Sequence, residues 1–294
     1  MRMANVGGRA ALLVDGEYFD LASLSDGALP ADVQLVIEHH WSAATELAGS
    51  VVAGSGRALR PGELRAPVPR PGAIFGVVAN YPPAIAPIPR VPMVFGKFPS
   101  AVVGPSDDIV LPDPTMLPMG AEWTVLEAEL AVVIGAGGRH IPQTQALERV
   151  AGFTVAQDIT ERVHEFGPRG TSVGTMEYLS LKALGKSLDT FCPLGPAIVT
   201  LDEFQDPLSL DVECRLNGRV VQRASTADLL VGVPELVSVI SAFVTLHPGD
   251  VILTGTPTPL DDQLPRLMPG DLIETTITGI GTIQNRCIAE STHT

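Results

Sequence analysis

Glu127 and Glu129 stand two residues apart in the run LEAELAVVI (residues 126–134), and their spacing frames the chemistry open to this chain. Apolar residues at 126, 128, 130, 132 and 134 recur at every second position. That is the period of a β-strand, so both glutamates project from the face opposite the apolar one. Two carboxylates so placed lie about 7 Å apart and repel each other unless a cation or a shared proton sits between them. Either the face is solvated, or a hard divalent metal occupies it. Asp158, at the end of a second strand-like run, offers a third carboxylate. Three carboxylate oxygens with waters form the octahedral site typical of Mg²⁺ or Mn²⁺, with Ca²⁺ as a further hard-ion option. Such a site keeps open positions for a small anionic 2-oxo acid, whose ketone and carboxylate oxygens chelate in one plane.

The elements that must position these acids follow from period and punctuation. Residues 74–79, 91–95, 101–103 and 109–111 form short apolar runs that predict strands, and 153–156 predicts the strand delivering Asp158. A short helix is expected at 144–150. Residues 210–216 and 219–223 flank Asn217-Gly218, a strong hairpin signal. Val233-Pro234-Glu235 opens a helix expected to pack through Leu236, Val239, Ile240 and Phe243. Strands at 251–253, 272–276 and 282–288 complete the chain. The glycines at 135, 137 and 138 precede no helix and read as a turn, not a dinucleotide loop. Residues 1–60 are expected to form a small α+β N-terminal domain with a helix at 33–47, residues 61–72 a linker rich in Pro, Arg and Gly, and residues 73–294 the catalytic domain. His39 and His40 read as a partly exposed helical face, and His140 and His247 as turn residues.

The 29 Gly and 26 Pro among 294 residues favour a β-rich chain over a helical bundle. A formal charge of −14 and the lack of a basic run with interleaved aromatics exclude nucleic acid as an expected partner. No apolar run reaches the roughly 18 residues of a membrane span. The N-terminus lacks the apolar core of a signal peptide, so a soluble, cytoplasmic protein is expected. Cys192, Cys214 and Cys287 have no metal-ligand spacing and read as buried free thiols.

From Ile74 to Ala289 the chain resembles the fumarylacetoacetate hydrolase family. The resemblance rests on VVGPSDDIVLP (102–112), EAELAVVIG (127–135), AGFTVAQD (151–158), GKSLDTFCPLGP (185–196) and HPGDVILTGTP (247–257), in that order. It implies an α+β, predominantly β fold, a mixed β-sandwich roll, and a homodimer. It also implies a metal held by Glu127, Glu129 and Asp158, a catalytic lysine at Lys186, and an arginine near the substrate at Arg162. By the same resemblance Gly255 and Thr256 meet the substrate carboxylate, with Thr190 as a further substrate-binding position, while the glycine-rich run 167–171 reads as a mobile lid whose Arg169 is expected to meet a second carboxylate. Lys97 is a tentative pocket residue.

Small hydrolytic and decarboxylating members of that family carry a His and a Glu that activate water after Asn-Tyr. This chain has Asn80-Tyr81, then Ala84 and Pro87 at those two positions, and neither can carry a proton. His164 and Glu165 are the candidates for a substitute base. The leading expectation is Mg²⁺-dependent hydrolysis of a carbon–carbon bond in a 2,4-dioxo acid such as an acylpyruvate or fumarylpyruvate. The alternatives are non-hydrolytic enolate chemistry at the same metal site (decarboxylation, tautomerisation or isomerisation, hydration, ring closure) and a catalytically silent metal-binding relative.

Overall fold

A computed structural model describes residues 1–60, 62–82, 91–117, 123–162, 182–261 and 263–291. Up to residue 65 the chain holds strands β1 (Arg2–Val6), β2 (Arg9–Val14) and β3 (Glu17–Asp20), helices α1 (Leu21–Leu24), α2 (Val33–His39) and α3 (Trp41–Ala48), and then β4 (Arg57–Ala58) and β5 (Leu64–Arg65). Next come β6 (Ile74–Val77), β7 (Val94–Lys97), β8 (Val102–Val103), β9 (Ile109–Leu111), β10 (Thr124–Val125), β11 (Ala128–Ile134), β12 (Val150–Gln157) and β13 (Thr160–Glu161). The last third holds β14 (Cys192–Val199), β15 (Asp211–Leu216), β16 (Arg219–Ser225), α4 (Val233–Phe243), β17 (Val251–Leu253), β18 (Leu272–Ile277) and β19 (Gly281–Ala289).

Among the described residues the strands form one sheet in the order β4-β3-β2-β1-β14-β12-β11-β17-β6-β7, with β5 on β1 and β8 on β14, a second in the order β16-β15-β18-β19-β9, and a two-stranded ribbon of β10 and β13. The second sheet packs on the first through β15 against β11, β18 against β12 and β19 against β14. The fold is therefore mostly sheet, as expected.

β11 is central because it is paired on both edges, to β12 and to β17. All seven of its residues are buried. The alternation predicted one covered face, yet the glutamate face is covered as well, since Ala131 and Val133 continue it and are both fully buried. A strand that carries acids on a buried face needs those acids to be compensated.

The N-terminal strands continue the main sheet: β1 pairs with β14, placing Arg2 opposite Val199. Met3, Leu12, Val36 and Ile37 share one core with Leu130 and Phe153. The stretch expected as a linker is fastened down, for β5 pairs with β1, Asn5 Nδ2 donates to the Ala66 carbonyl at 3.0 Å, and Val68 is fully buried. The helix expected at 33–47 is two helices, broken at His40, whose φ of −132° leaves helical space. The break lets Trp41 and Ala44 meet the core that Val33, Val36 and Ile37 already line.

The helix expected at 144–150 is instead two 3₁₀ turns, Gln143–Gln145 and Leu147–Arg149, leading straight into β12. In α4 the buried stripe is Val233, Leu236, Val237, Ile240 and Ser241, while Phe243 is 67% exposed. The stripe runs i, i+3, i+4, i+7, i+8 from the first helical residue, and Ser241 belongs on it because its hydroxyl accepts the Ile141 N–H at 2.9 Å. Asn217 and Gly218 both take positive φ, 51° and 81°, which is the hairpin turn their types require. All three cysteines are buried and free.

Candidate active site

The β11–β12 register assembles the acids. Ala128 faces Gln157 and Glu129 faces Ala156, so one step further Glu127 lies beside Asp158, whose N–H donates to the Glu127 carbonyl at 2.8 Å. Carboxylate oxygens of Glu127, Glu129 and Asp158 all lie within 4.8 Å of one another. Asp158 is fully buried, Glu129 is 2% exposed, and the Glu127 side chain is 14% exposed.

Two lysines reach into this cluster. Lys186, after a helical turn at 182–185, places Nζ 2.5 Å from Glu127 Oε2 and 2.5 Å from Asp158 Oδ2. The same ammonium lies 4.9 Å from the centroid of the Phe95 ring. That ring packs on Gly76, where a Cβ would fall 2.1 Å from its Cζ, so only glycine admits it. Lys97, at the end of β7, donates to Asp158 Oδ1 at 2.7 Å and to the Ile159 carbonyl at 3.1 Å, with its side chain wholly buried. The sequence marked Lys97 as no more than a tentative pocket residue. Its signal was a lone cation closing an otherwise apolar strand.

Burial opposes the charge on Asp158, but Lys186 and then Lys97 outweigh it and hold its carboxyl below the ordinary aspartate value. Glu129 goes the other way. Burial first and the Asp158 charge second push its carboxyl well above the usual range, against Lys186 and the Gly255 N–H that bonds its Oε2. Lys186 is likewise opposed by burial, yet Asp158 and Glu127 keep it firmly protonated. Three carboxylates against two ammoniums leave one negative charge in excess when all are ionised, and Glu129 is where the strain falls. Hard oxygen donors gathered this closely, one of them uncomfortable as an anion, fit a divalent cation, which would reverse the push on Glu129.

Three comparisons bear on this site. A sequence model of the fumarylacetoacetate (FAA) hydrolase C-terminal domain matches residues 74–288. The chain belongs to the fumarylacetoacetate hydrolase family. The mitochondrial oxaloacetate tautomerase FAHD2A of Bos taurus is 42% identical over 230 residues, 76% of this chain and 68% of that protein. The 2,4-didehydro-3-deoxy-L-rhamnonate hydrolase of Sphingomonas sp. (strain SKA58) is 36% identical over 235 residues, 77% of this chain and 76% of that one. The maleylpyruvate hydrolase of Sphingobium sp. SYK-6, solved with manganese(II) and pyruvate, superposes with a TM-score of 0.79 at 28% identity, covering 99% of this chain and 100% of that one. This member of the family is thus an enzyme, a hydrolase or a lyase or isomerase, with a triad suited to a divalent metal.

The remaining family positions are placed as follows. Gly255, at φ +104° and with a would-be Cβ 2.7 Å from the Asn80 Cβ, must be glycine for its N–H to reach Glu129. Asn80 clamps that corner, donating to the Val231 and Thr254 carbonyls at 2.9 and 2.8 Å while accepting the Val231 N–H at 2.8 Å. Thr256, next to Gly255, is half-buried and its hydroxyl oxygen is 2.7 Å from Gln222 Nε2. Thr190, expected at the substrate, has a structural bond: its hydroxyl accepts the Val110 N–H at 2.8 Å, tying its loop to β9. Arg162 follows β13, and its N–H donates to the Trp123 carbonyl at 3.1 Å. His164, Glu165 and Arg169 lie outside the described residues, as do Ala84 and Pro87.

Sequence reasoning missed the layer behind the acids. Gln157 accepts the Glu127 N–H at 3.0 Å and Gln222 accepts the Ala128 N–H at 3.1 Å, so two buried glutamines hold consecutive amides at the root of the triad. Gln157 Nε2 in turn donates to the hydroxyl of Thr275. A buried Gln in a strand has no periodic signature, so only its partners reveal it.

Proposed function

We propose that this enzyme interconverts the keto and enol forms of a 2-oxo dicarboxylic acid of the oxaloacetate type, with Mg²⁺ or Mn²⁺ held by Glu127, Glu129 and Asp158. The observation that carries the reading is the Lys186 ammonium, 2.5 Å from two of the three acids and buried with them. Enolisation moves one proton from carbon to the ketone oxygen and needs a single well-placed proton carrier. Hydrolysis needs in addition a base that activates water, and positions 84 and 87 hold Ala and Pro where the family's hydrolytic pair would stand. The bound cation would polarise the ketone and stabilise the enolate charge. Lys186 Nζ, held as an ammonium by Asp158 and Glu127, gives its proton to the carbon of the enol and takes the enol O–H proton in return, so that it ends protonated as it began, while Lys97 keeps Asp158 anionic and fixed and Gly255 orients Glu129. The 42% identity to proteins named oxaloacetate tautomerase supports the same reading.

Carbon–carbon bond hydrolysis, the leading expectation from the sequence, stands as the second reading. It is favoured by the 36% identity to a 2,4-didehydro-3-deoxy-L-rhamnonate hydrolase. One assay separates the two. The purified protein is stripped with chelator, reloaded with Mn²⁺ or Mg²⁺, and given oxaloacetate or acylpyruvates while enol absorbance and product mass are followed. Metal-dependent loss of enol signal at constant mass supports tautomerisation. Cleaved acids from the acylpyruvates with no acceleration of oxaloacetate exchange would overturn it in favour of hydrolysis.

A further inference from the structure

Gln157 closes β12 opposite Ala128 and is fully buried, its side chain reaching from the first sheet to the second. Its amide has one orientation. The Glu127 N–H, 3.0 Å away, can only donate, so the atom that faces it is the oxygen. The NH₂ is thereby turned to the second sheet, where it meets the Thr275 hydroxyl on β18 and, at 3.4 Å, Cys214 Sγ on β15. Thr275 passes the polarity on, because its hydroxyl donates to the same sulfur at 3.5 Å. Thr275 and Cys214 are as fully buried as Gln157. What hangs from this chain of bonds is Glu127. β11 begins one residue later, at Ala128, so Glu127 lies outside the run of backbone pairing that sets Glu129 opposite Ala156. Its carbonyl is held by the Asp158 N–H at 2.8 Å and its N–H by Gln157. It is also the least enclosed of the three acids, 14% exposed at its side chain against 1% for that of Asp158 and 2% for Glu129.

We infer that Gln157 and Thr275 are positioning residues for Glu127: through one buried amide, the second sheet fixes the least restrained of the three acids and so sets the affinity of the site for its cation. Thr275 acts at one remove, by giving the Gln157 NH₂ an acceptor that keeps the amide oxygen on the Glu127 N–H. The inference rests on the reading that Glu127, Glu129 and Asp158 hold a divalent cation, but it does not depend on which reaction follows.

The test titrates Mn²⁺ alone into the full-length protein, reads the free ion by electron paramagnetic resonance, and follows urea unfolding of each metal-free variant alongside. Gln157→Met keeps the side-chain length but offers neither donor nor acceptor, and Mn²⁺ affinity is expected to fall at least about tenfold, as for loss of an outer-layer partner. Thr275→Val deletes one hydroxyl from the far sheet and is expected to weaken binding about threefold, the worth of a single neutral hydrogen bond. Thr275→Ser, which restores the hydroxyl, should return the affinity to within about twofold of the parent protein. Adding Thr275→Val to Gln157→Met should move the affinity less than about twofold further, because the hydroxyl acts through the amide. Gln222→Met is the control: it frees the neighbouring Ala128 N–H, whose residue carries no carboxylate, and should lower stability while changing Mn²⁺ affinity less than about threefold. Stability losses with unchanged Mn²⁺ affinity, an equal fall in affinity with Gln222→Met, or an additive double variant would overturn the inference. If Gln157→Met fails to melt cooperatively, the Thr275 pair decides alone. Parent protein that binds no Mn²⁺ would condemn the triad and this inference with it, whereas tight binding that ignores positions 157 and 275 condemns the inference only.

Discussion

Asp158 and Glu213 each sit between two cationic side chains, one in the core and the other on a surface hairpin. Asp158, 1% exposed at its side chain, has Lys97 at 2.7 Å and Lys186 at 2.5 Å. Glu213, 25% exposed, has Arg215 at 2.7 Å and Arg223 on its other oxygen, both arginines being largely in solvent. Both carboxyls are held below their ordinary values, Asp158 against heavy burial and Glu213 chiefly by its hydrogen bond from Arg223. The contacts look alike, but their energetics do not. Taking an ion into the interior costs several kcal/mol, so a buried pair stabilises weakly in net terms and is ruinous to break. An exposed pair of the same geometry contributes about 0–1 kcal/mol and is screened by salt. A fold that gathers three acids and two lysines in its core has no stability motive to do so, which is the physical reason to look for function there and not at Glu213.

The sharpest way to break this contrast is Lys186→Met. The turnover number is expected to fall about 10²–10⁴-fold, as for loss of a general acid–base group. The metal-free protein should lose about 3–5 kcal/mol of unfolding free energy, as when one partner of a buried pair is removed. Urea titration with and without Mn²⁺ checks it, and a loss below 1 kcal/mol would make the interior cluster no different from the surface one. Next is Glu129→Gln, expected to lower Mn²⁺ affinity more than about 100-fold, beyond the usual effect of losing an outer-layer partner. The metal-free melting temperature should hold or rise, because a neutral amide relieves the repulsion and still accepts from Gly255. Melting curves against Mn²⁺ concentration decide, and an unchanged metal response would remove Glu129 from the site.

Two smaller effects sharpen the comparison. Thr190→Val orphans the Val110 N–H and should cost about 1 kcal/mol of stability, with kcat/KM unchanged. A fall in kcat/KM without loss of stability would return Thr190 to the substrate. Glu213→Gln should cost under about 1 kcal/mol, less still in 1 M salt. Its sign with pH follows from its depressed carboxyl: the contribution is present above about pH 4.5, the ordinary glutamate range, and fades as pH falls through the lower folded-state value. A larger loss at neutral pH would mean that exposure does not separate the two clusters.

Much of this was legible in the chain. The alternation around Glu127 and Glu129 put both acids on one face, the motif order named the family, and Asn217-Gly218 announced its hairpin. The errors have physical causes. Alternation cannot tell a solvated face from one covered by small residues, so the burial of Glu129, Ala131 and Val133 was invisible. The stripe of α4 was misaligned because Phe243 is apolar but closes the helix, where it is 67% exposed. The bond from the Val110 N–H to the Thr190 hydroxyl, 80 residues away along the chain, was also invisible to local spacing.

By itself the sequence determined what neighbours along the chain can enforce: strand period, turn type, and which carboxylates share a side. The tertiary structure alone decided that Lys97, 61 residues from Asp158, is its second cation, that Gln222, 94 residues from Ala128, accepts its N–H and donates to the Thr256 hydroxyl, and that the N-terminal strands extend the main sheet. Local preferences act through adjacent backbone and side-chain sterics. Contacts between distant strands exist only once packing has excluded water and forced each buried polar atom to find its partner.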